Sequence, residues 1–159
     1  MSVMKRAGAI NVANRFAKLD FHDDALISIT INPPHSAKNL TRIEFGFKDD
    51  ATGRVKIPSF QSCANVRFVA DFDVLANNWH FGNTKALAAE TDPTQMRKFV
   101  IQQSSHWRTA YMPPMSRKEP VKQKLKKIRN YNLFKLAFFG GTAEILAKGY
   151  KLSRRSRQN

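Results

Sequence analysis

Cysteine is nearly missing from this 159-residue chain. Cys63 stands alone, which excludes an internal disulfide and any zinc framework built on paired cysteines. A reducing compartment is the natural setting for such a chain, and we expect a cytoplasmic protein. Long apolar runs are missing too. The longest candidate, Leu133 to Ala147, is broken by Lys135, Gly140, Gly141 and Glu144 and falls short of a membrane span. Met1 to Lys18 lacks the continuous apolar core of a secretory signal. It holds Lys5, Arg6, Arg15 and Lys18 without an acid, and we read it as a basic amphipathic helix or loose terminus rather than a mitochondrial presequence. No phosphate-cradling glycine loop is present, because Gly140-Gly141 is not followed by Lys-Ser/Thr. A G-x-S-x-G elbow is absent, so Ser104-Ser105-His106 has no hydrolase context.

Acid is the remaining scarcity, and it is unevenly distributed. Residues 1–80 carry ten Lys/Arg and eight Asp/Glu, whereas residues 81–159 carry seventeen and four. Residues 117–159 alone hold thirteen cations against Glu119 and Glu144. With a net charge of +15, a near-neutral body is joined to a strongly cationic end, which draws anions. The organisation this implies is a basic N-terminal segment over 1–20, a single α+β domain over 21–152 with a basic subregion at 117–152, and a basic tail over 153–159.

Alternation supplies most of the elements. Ala25 to Ile31 places Ile27, Ile29 and Ile31 at every second position, which predicts a strand with those three on a buried face, stopped by Asn32-Pro33-Pro34. The triplet before it, His22-Asp23-Asp24, reads as a polar turn. Thr41 to Phe47 puts Ile43, Phe45 and Phe47 on one side. Lys48 to Gly53 is turn-rich, and Arg54 to Ile57 returns with Val55 and Ile57 inward until Pro58 closes it. Asn65 to Leu75 is the clearest strand, with Val66, Phe68, Ala70, Phe72 and Val74 facing one way. Asp92-Pro93-Thr94-Gln95 has the chemistry of a helix start, and Met96, Phe99 and Val100 follow at helical spacing, so a helix is expected over Pro93–Ser104. Val121, Leu125 and Ile128 form a narrow apolar stripe among lysines, either a basic amphipathic helix or a basic connector. Leu133 to Phe139, Gly140-Gly141 and Thr142 to Leu152 read as a hairpin, and Ser153 to Asn159 as a frayed tail.

Several carboxylates invite a metal reading. Asp71 and Asp73 share a strand face and, with Asp24 or Glu44, could serve a metal-dependent nuclease. Arg67 lies on that same face and can neutralise them, so a salt-bridged surface is the preferred reading. His22-Asp23-Asp24 cannot converge on one ion, because consecutive strand residues point to opposite faces. Cys63 has no local signature pairing it with His22, His35, His80 or His106, and reads as a small buried apolar residue. We expect no cofactor and no catalytic machinery.

The constellation that carries a function is cationic. Arg117, Lys118, Lys122, Lys124, Lys126, Lys127, Arg129, Lys151, Arg154, Arg155 and Arg157 are interleaved with Tyr131, Phe134 and Tyr150. Phosphate contact needs cations and base stacking needs aromatic faces. The expected partner is anionic, nucleic acid or an acidic protein surface, in preference to a membrane surface.

Two segments also carry a resemblance. Phe21-His22-Asp23-Asp24-Ala25-Leu26 resembles the opening of small bacterial domains of toxin-immunity or uncharacterised type. Phe138-Phe139-Gly140-Gly141-Thr142-Ala143-Glu144-Ile145-Leu146-Ala147 resembles their closing hairpin. The resemblance implies a non-catalytic β-sheet domain that inhibits one cognate effector. The charge departs from it, since immunity proteins that cover cationic nuclease sites are acidic and this chain would repel such a toxin.

Overall fold

The computed structural model describes residues 11–22, 24–32, 41–49, 51–71, 83–90 (backbone), 93–106, 126, 130–138 and 140–155. The fold is mostly β, two antiparallel sheets with two short helices. Residues 11–17 form helix α1. Among the described residues nine strands follow: β1 (Asp20–His22), β2 (Asp24–Asn32), β3 (Arg42–Asp49), β4 (Val55–Gln61), β5 (Asn65–Ala70), β6 (Asn83–Glu90), β7 (Asn132–Phe138), β8 (Gly141–Ala147) and β9 (Gly149–Arg155). Helix α2 (Pro93–His106) lies between β6 and β7.

One sheet has the order β1-β6-β7-β8-β5 and the other β2-β3-β4-β9. Three strand pairs are continuous or nearly so across the sheets. Asp23 alone separates β1 from β2, Lys148 alone separates β8 from β9, and residues 62–64 separate β4 from β5. The pairings therefore run in a circuit: β2 to β3, β3 to β4, β4 to β9, then β8 to β7, β7 to β6 and β6 to β1. Strands that bend from one sheet into the other make the corners of a barrel-like sandwich. At one corner β4–β5 runs against β8–β9, and the register steps from Gln61↔Gly149 to Asn65↔Leu146, one extra residue on the β4–β5 side. Ser62 absorbs that bulge with a left-handed φ of 54°.

Aromatic packing fills the interior. Phe16 of α1 is fully buried and meets Phe134 at 4.9 Å, Tyr150 at 5.1 Å and Phe60 at 5.8 Å between ring centroids. Ile43, Phe45 and Phe47 are buried on one face of β3, as the alternation implies. Phe134, Leu136 and Phe138 of β7 join them, with Ala143 and Ile145 of β8. Each buried Phe, Leu or Ile side chain contributes roughly 1.5–3 kcal/mol on burial. Helix α2 covers the opposite face of the larger sheet, where Met96, Phe99 and Val100 pack on Leu133 and Leu146. The C-terminal hairpin turns at Gly140, whose φ of 80° suits glycine.

The C-terminal region forms hairpin strands, as expected, and β7 and β8 supply much of the core. Several other expectations are corrected. The tail is ordered further than expected, since Ser153, Arg154 and Arg155 pair with Ile57, Lys56 and Val55. Strand β4 does not end at Pro58 and has the reverse facing. Phe60 is fully buried, so Lys56, Pro58 and Phe60 face inward while Val55 and Ile57 face out. Pro58 is tolerated because the β3–β4 ladder holds Glu44↔Ser59 and resumes at Phe47↔Lys56, leaving the proline in the gap. Ile27, Ile29 and Ile31 are exposed, at 53%, 39% and 59%. A bulge between Leu26 and Ser28 turns Ile27 towards Gly46, and the sandwich does not extend over Ile29 and Ile31. Strand β6 was not anticipated. The strand expected over Asn65–Leu75 is described to Ala70, with Val66, Phe68 and Ala70 less exposed than Arg67 and Val69. Its remainder beyond Asp71, like the Val121–Ile128 stripe except Lys126, lies outside the described residues.

Candidate anion-binding edge

The end of the smaller sheet gathers cations from four parts of the chain. A cleft of about 310 Å³ opens where α1, the start of β1, the β3–β4 turn and the end of β9 meet. Lys18, Arg54, Lys56 and Arg154 line it, with Asp20 and Asp49. Local chemistry fixes each of them. Lys18 follows α1, where the Lys18 and Leu19 amides donate to the Arg15 and Phe16 carbonyls. Arg54 closes the turn: the Asp49 amide donates to the Arg54 carbonyl at 2.9 Å, and the Thr52 amide donates to Asp49 Oδ1 at 2.9 Å. That amide holds the Asp49 carboxyl below its ordinary value. Arg154 lies opposite Lys56 in the β4–β9 ladder.

Lys56 is the cation least open to a ligand. Its ammonium donates to Asp24 Oδ2 at 2.8 Å and to the Asp20 carbonyl at 3.0 Å, and sits 6.0 Å from the Phe21 ring centroid. The Asp24 side chain is fully buried and that of Lys56 is 19% exposed. Burial pushes the Asp24 carboxyl above its ordinary value, against the pull of Lys56. The expected polar turn at Asp24 is thus corrected to a buried ion pair that ties β2 to β4. With Lys56 neutralised, Lys18, Arg54 and Arg154 remain against Asp20 and Asp49.

More positive charge lies on the outer face of the same sheet. Lys48, Val55 and Arg155 form one lateral row across β3, β4 and β9, and Lys151 follows along β9. Lys48, Lys151, Arg154 and Arg155 are exposed and form no ion pair among the described residues. Strand spacing puts Lys48 and Arg155 roughly 10 Å apart. The acid on this face, Glu44, is taken by Arg42 at 3.4 Å. An edge strand carrying Lys and Arg also resists unwanted strand addition, so these cations have a structural use besides binding.

Of the residues singled out as anion-binding, Lys151, Arg154 and Arg155 are brought together on β9, and Lys126 is exposed elsewhere. Arg117, Lys118, Lys122, Lys124, Lys127, Arg129 and Arg157 lie outside the described residues. Lys18, Lys48 and Arg54 were not singled out; they are scattered in sequence, and only the flanks of the Asp49–Gly53 turn hinted at a shared location.

The carboxylates of the nuclease alternative are dispersed. Asp24 is buried against Lys56, Glu44 pairs with Arg42, Asp71 is exposed at the end of β5, and Asp73 lies outside the described residues. Arg67 pairs with Glu144 across β5 and β8. Among the described residues, no group of three or more His, Cys, Asp and Glu could hold a metal ion. Cys63 is half-buried, its thiol donates to the Phe60 carbonyl at 3.3 Å, and burial pushes its pKa up to about 11. Such a thiol is a poor nucleophile. Among the described residues, no helix is long and apolar enough to cross a membrane. The chain matches no protein-family model, no curated protein and no solved structure.

Proposed function

We propose that this is a non-enzymatic binding protein that engages a polyanion, nucleic acid, through the cationic edge of its four-stranded sheet. One observation carries the reading: Lys151, Arg154 and Arg155 stand exposed on β9 with no ion pair among the described residues, Arg154 lining one cleft with Lys18 and Arg54 and Arg155 in one lateral row with Lys48. A paired strand already fixes the backbone that carries these cations, so only side-chain freedom is lost when they meet phosphates, and a sheet edge gives them a fixed spacing. Binding of this kind releases counterions and weakens steeply with salt.

The test is fluorescence anisotropy with a labelled single-stranded oligonucleotide over a salt series. Log affinity should fall linearly with log salt, at about 0.7 per phosphate contact for a single strand. The Lys151→Ala/Arg154→Ala/Arg155→Ala variant should lose about two from the magnitude of that slope, by three contacts at the same rate. A flat salt dependence in the wild type refutes the proposal. A protein partner that stays bound after nuclease treatment, and is lost in the triple variant, would assign the same cations to an acidic protein surface instead.

A further inference from the structure

The opposite edge of the four-stranded sheet has different chemistry. Strand β2 pairs with β3 on one side, and among the described residues no ladder occupies its other side. From Ile27 to Ile31 every residue is exposed. Leu26 to Asn32 contains no charged residue, in a chain with 27 cations and 12 acids. Soluble proteins guard such edges with lysine, proline, bulges or a covering element. Here the bulge lies between Leu26 and Ser28, and the stretch beyond it, Ser28 to Asn32, is regular, uncharged and without a covering strand among the described residues.

We infer that Ser28–Asn32 of β2 is the seam of a symmetric dimer, pairing antiparallel with the same strand of a second copy. A two-fold interface requires a segment complementary to itself. This segment qualifies when centred on Thr30. Thr30 then meets Thr30 of the second copy, Ile29 meets Ile31 in both directions, and Ser28 meets Asn32. Ile29 and Ile31 stand in register with Phe45 and Ile43, so they share one face. Four isoleucines would cover one another across the seam, with the short polar side chains on the other face. β-branched and Thr–Thr pairs are favourable neighbours across strands.

Charge restricts where two copies can meet. Two copies at +15 each repel, so they can meet only where cations are absent. Joining β2 to β2 makes one eight-stranded sheet with the two β9 edges outermost. Seven strand spacings separate them, roughly 34 Å. That exceeds the screening length of about 8 Å at physiological salt several-fold. The arrangement leaves both cationic edges open, and it does not depend on what they bind.

The experiment is sedimentation equilibrium on nuclease-treated protein in high salt, where no polyanion can bridge two copies. The wild type should approach twice its 18.1 kDa mass as its concentration rises through the micromolar range. Ile29→Lys should remain at monomer mass with an unchanged far-ultraviolet spectrum. Ile31→Lys serves the same purpose if the first variant does not fold. Thr30→Cys should oxidise to a covalent dimer while Ser28→Cys does not, since only the central position meets itself. Cys63 is the poorer candidate for this reaction because its thiol is half-buried and donates a hydrogen bond to the Phe60 carbonyl. A wild type at monomer mass throughout, or a lysine variant that dimerises as well as the wild type, overturns the inference.

Discussion

The two edges of the four-stranded sheet, β2 and β9, occupy equivalent positions and solve the edge problem in opposite ways. Strand β9 presents Lys151, Arg154 and Arg155, so the same strand of a second copy would meet like charge there. Strand β2 presents Ile29 and Ile31 at 39% and 59% exposure with no charge nearby in sequence. The outer strand of the larger sheet, β5, is intermediate: Val69 is exposed, yet Arg67 and Glu144 form an ion pair beside it. An edge strand is defined by its backbone; its side chains decide whether it repels, selects an anion or accepts another strand.

The largest expected effect separates two cations that face each other on β4 and β9. Lys56 and Arg154 are partners in register and line the same cleft. Lys56 answers a fully buried carboxylate, whereas Arg154 is exposed. Lys56→Met should cost about 3 kcal/mol, because it removes the cation that answers the buried Asp24 carboxylate. Arg154→Ala should stay within about 0.5 kcal/mol. Urea unfolding of both variants measures the difference. Equal costs would mean that Lys56 is as free as its neighbour, and the cleft would then hold one more cation for binding.

A smaller effect concerns the bulge that sets the course of β2. Gly46 lies beneath the Ser28 hydroxyl and Ile27, and a Cβ there would collide with Ser28 Oγ. Gly46→Ala should cost about 1 kcal/mol through overpacking. Adding Ser28→Ala should recover most of that loss, since the two sites share one contact. If the double variant is no more stable than Gly46→Ala alone, some other contact fixes the bulge.

These edges also mark where sequence reading succeeds and where it stops. Alternation identifies β3 and the start of β5, the Gly140-Gly141 turn between two apolar segments identifies β7 and β8, and helical spacing with a proline start identifies α2. In each, the apolar face meets an opposing layer. The same alternation in β2 gives the strand but not its burial, because periodicity reports that a face is apolar and not that another layer reaches it. In β4, Val55 and Ile57 suggest one facing, yet Phe60 beyond Pro58 decides the other. The proline appears to end a strand only if the gap in the ladder is unknown. Asp24 follows another acid and looks solvated, and its partner Lys56 is thirty-two residues away in sequence. The cationic edge is legible at Lys151, Arg154 and Arg155. Lys18, Lys48 and Arg54 join it through topology alone.

The smallest effect is a pH dependence that divides two carboxylates standing opposite each other on neighbouring strands. Asp24 and Asp49 are partners in the β2–β3 register, and each has an ordinary value of 3.8. Burial raises Asp24; the Thr52 amide lowers Asp49. Between 3.8 and the raised value, the folded chain keeps a proton on Asp24 that the unfolded chain has released. The stability Asp24 contributes is therefore present below 3.8 and lost as pH rises through that window. For Asp49 the sign reverses: its contribution is present above 3.8 and lost as pH falls through its lowered value. Relative to Asp24→Asn, the wild type should gain stability as pH falls towards 3.8 from above. Relative to Asp49→Asn, it should lose stability only below 3.8. Denaturant titrations of the three proteins across this range read both windows. A difference from Asp24→Asn that stays flat above 3.8 would place the carboxylate in water, and β2 would then carry an exposed charge after all, at the end nearest the cationic cleft.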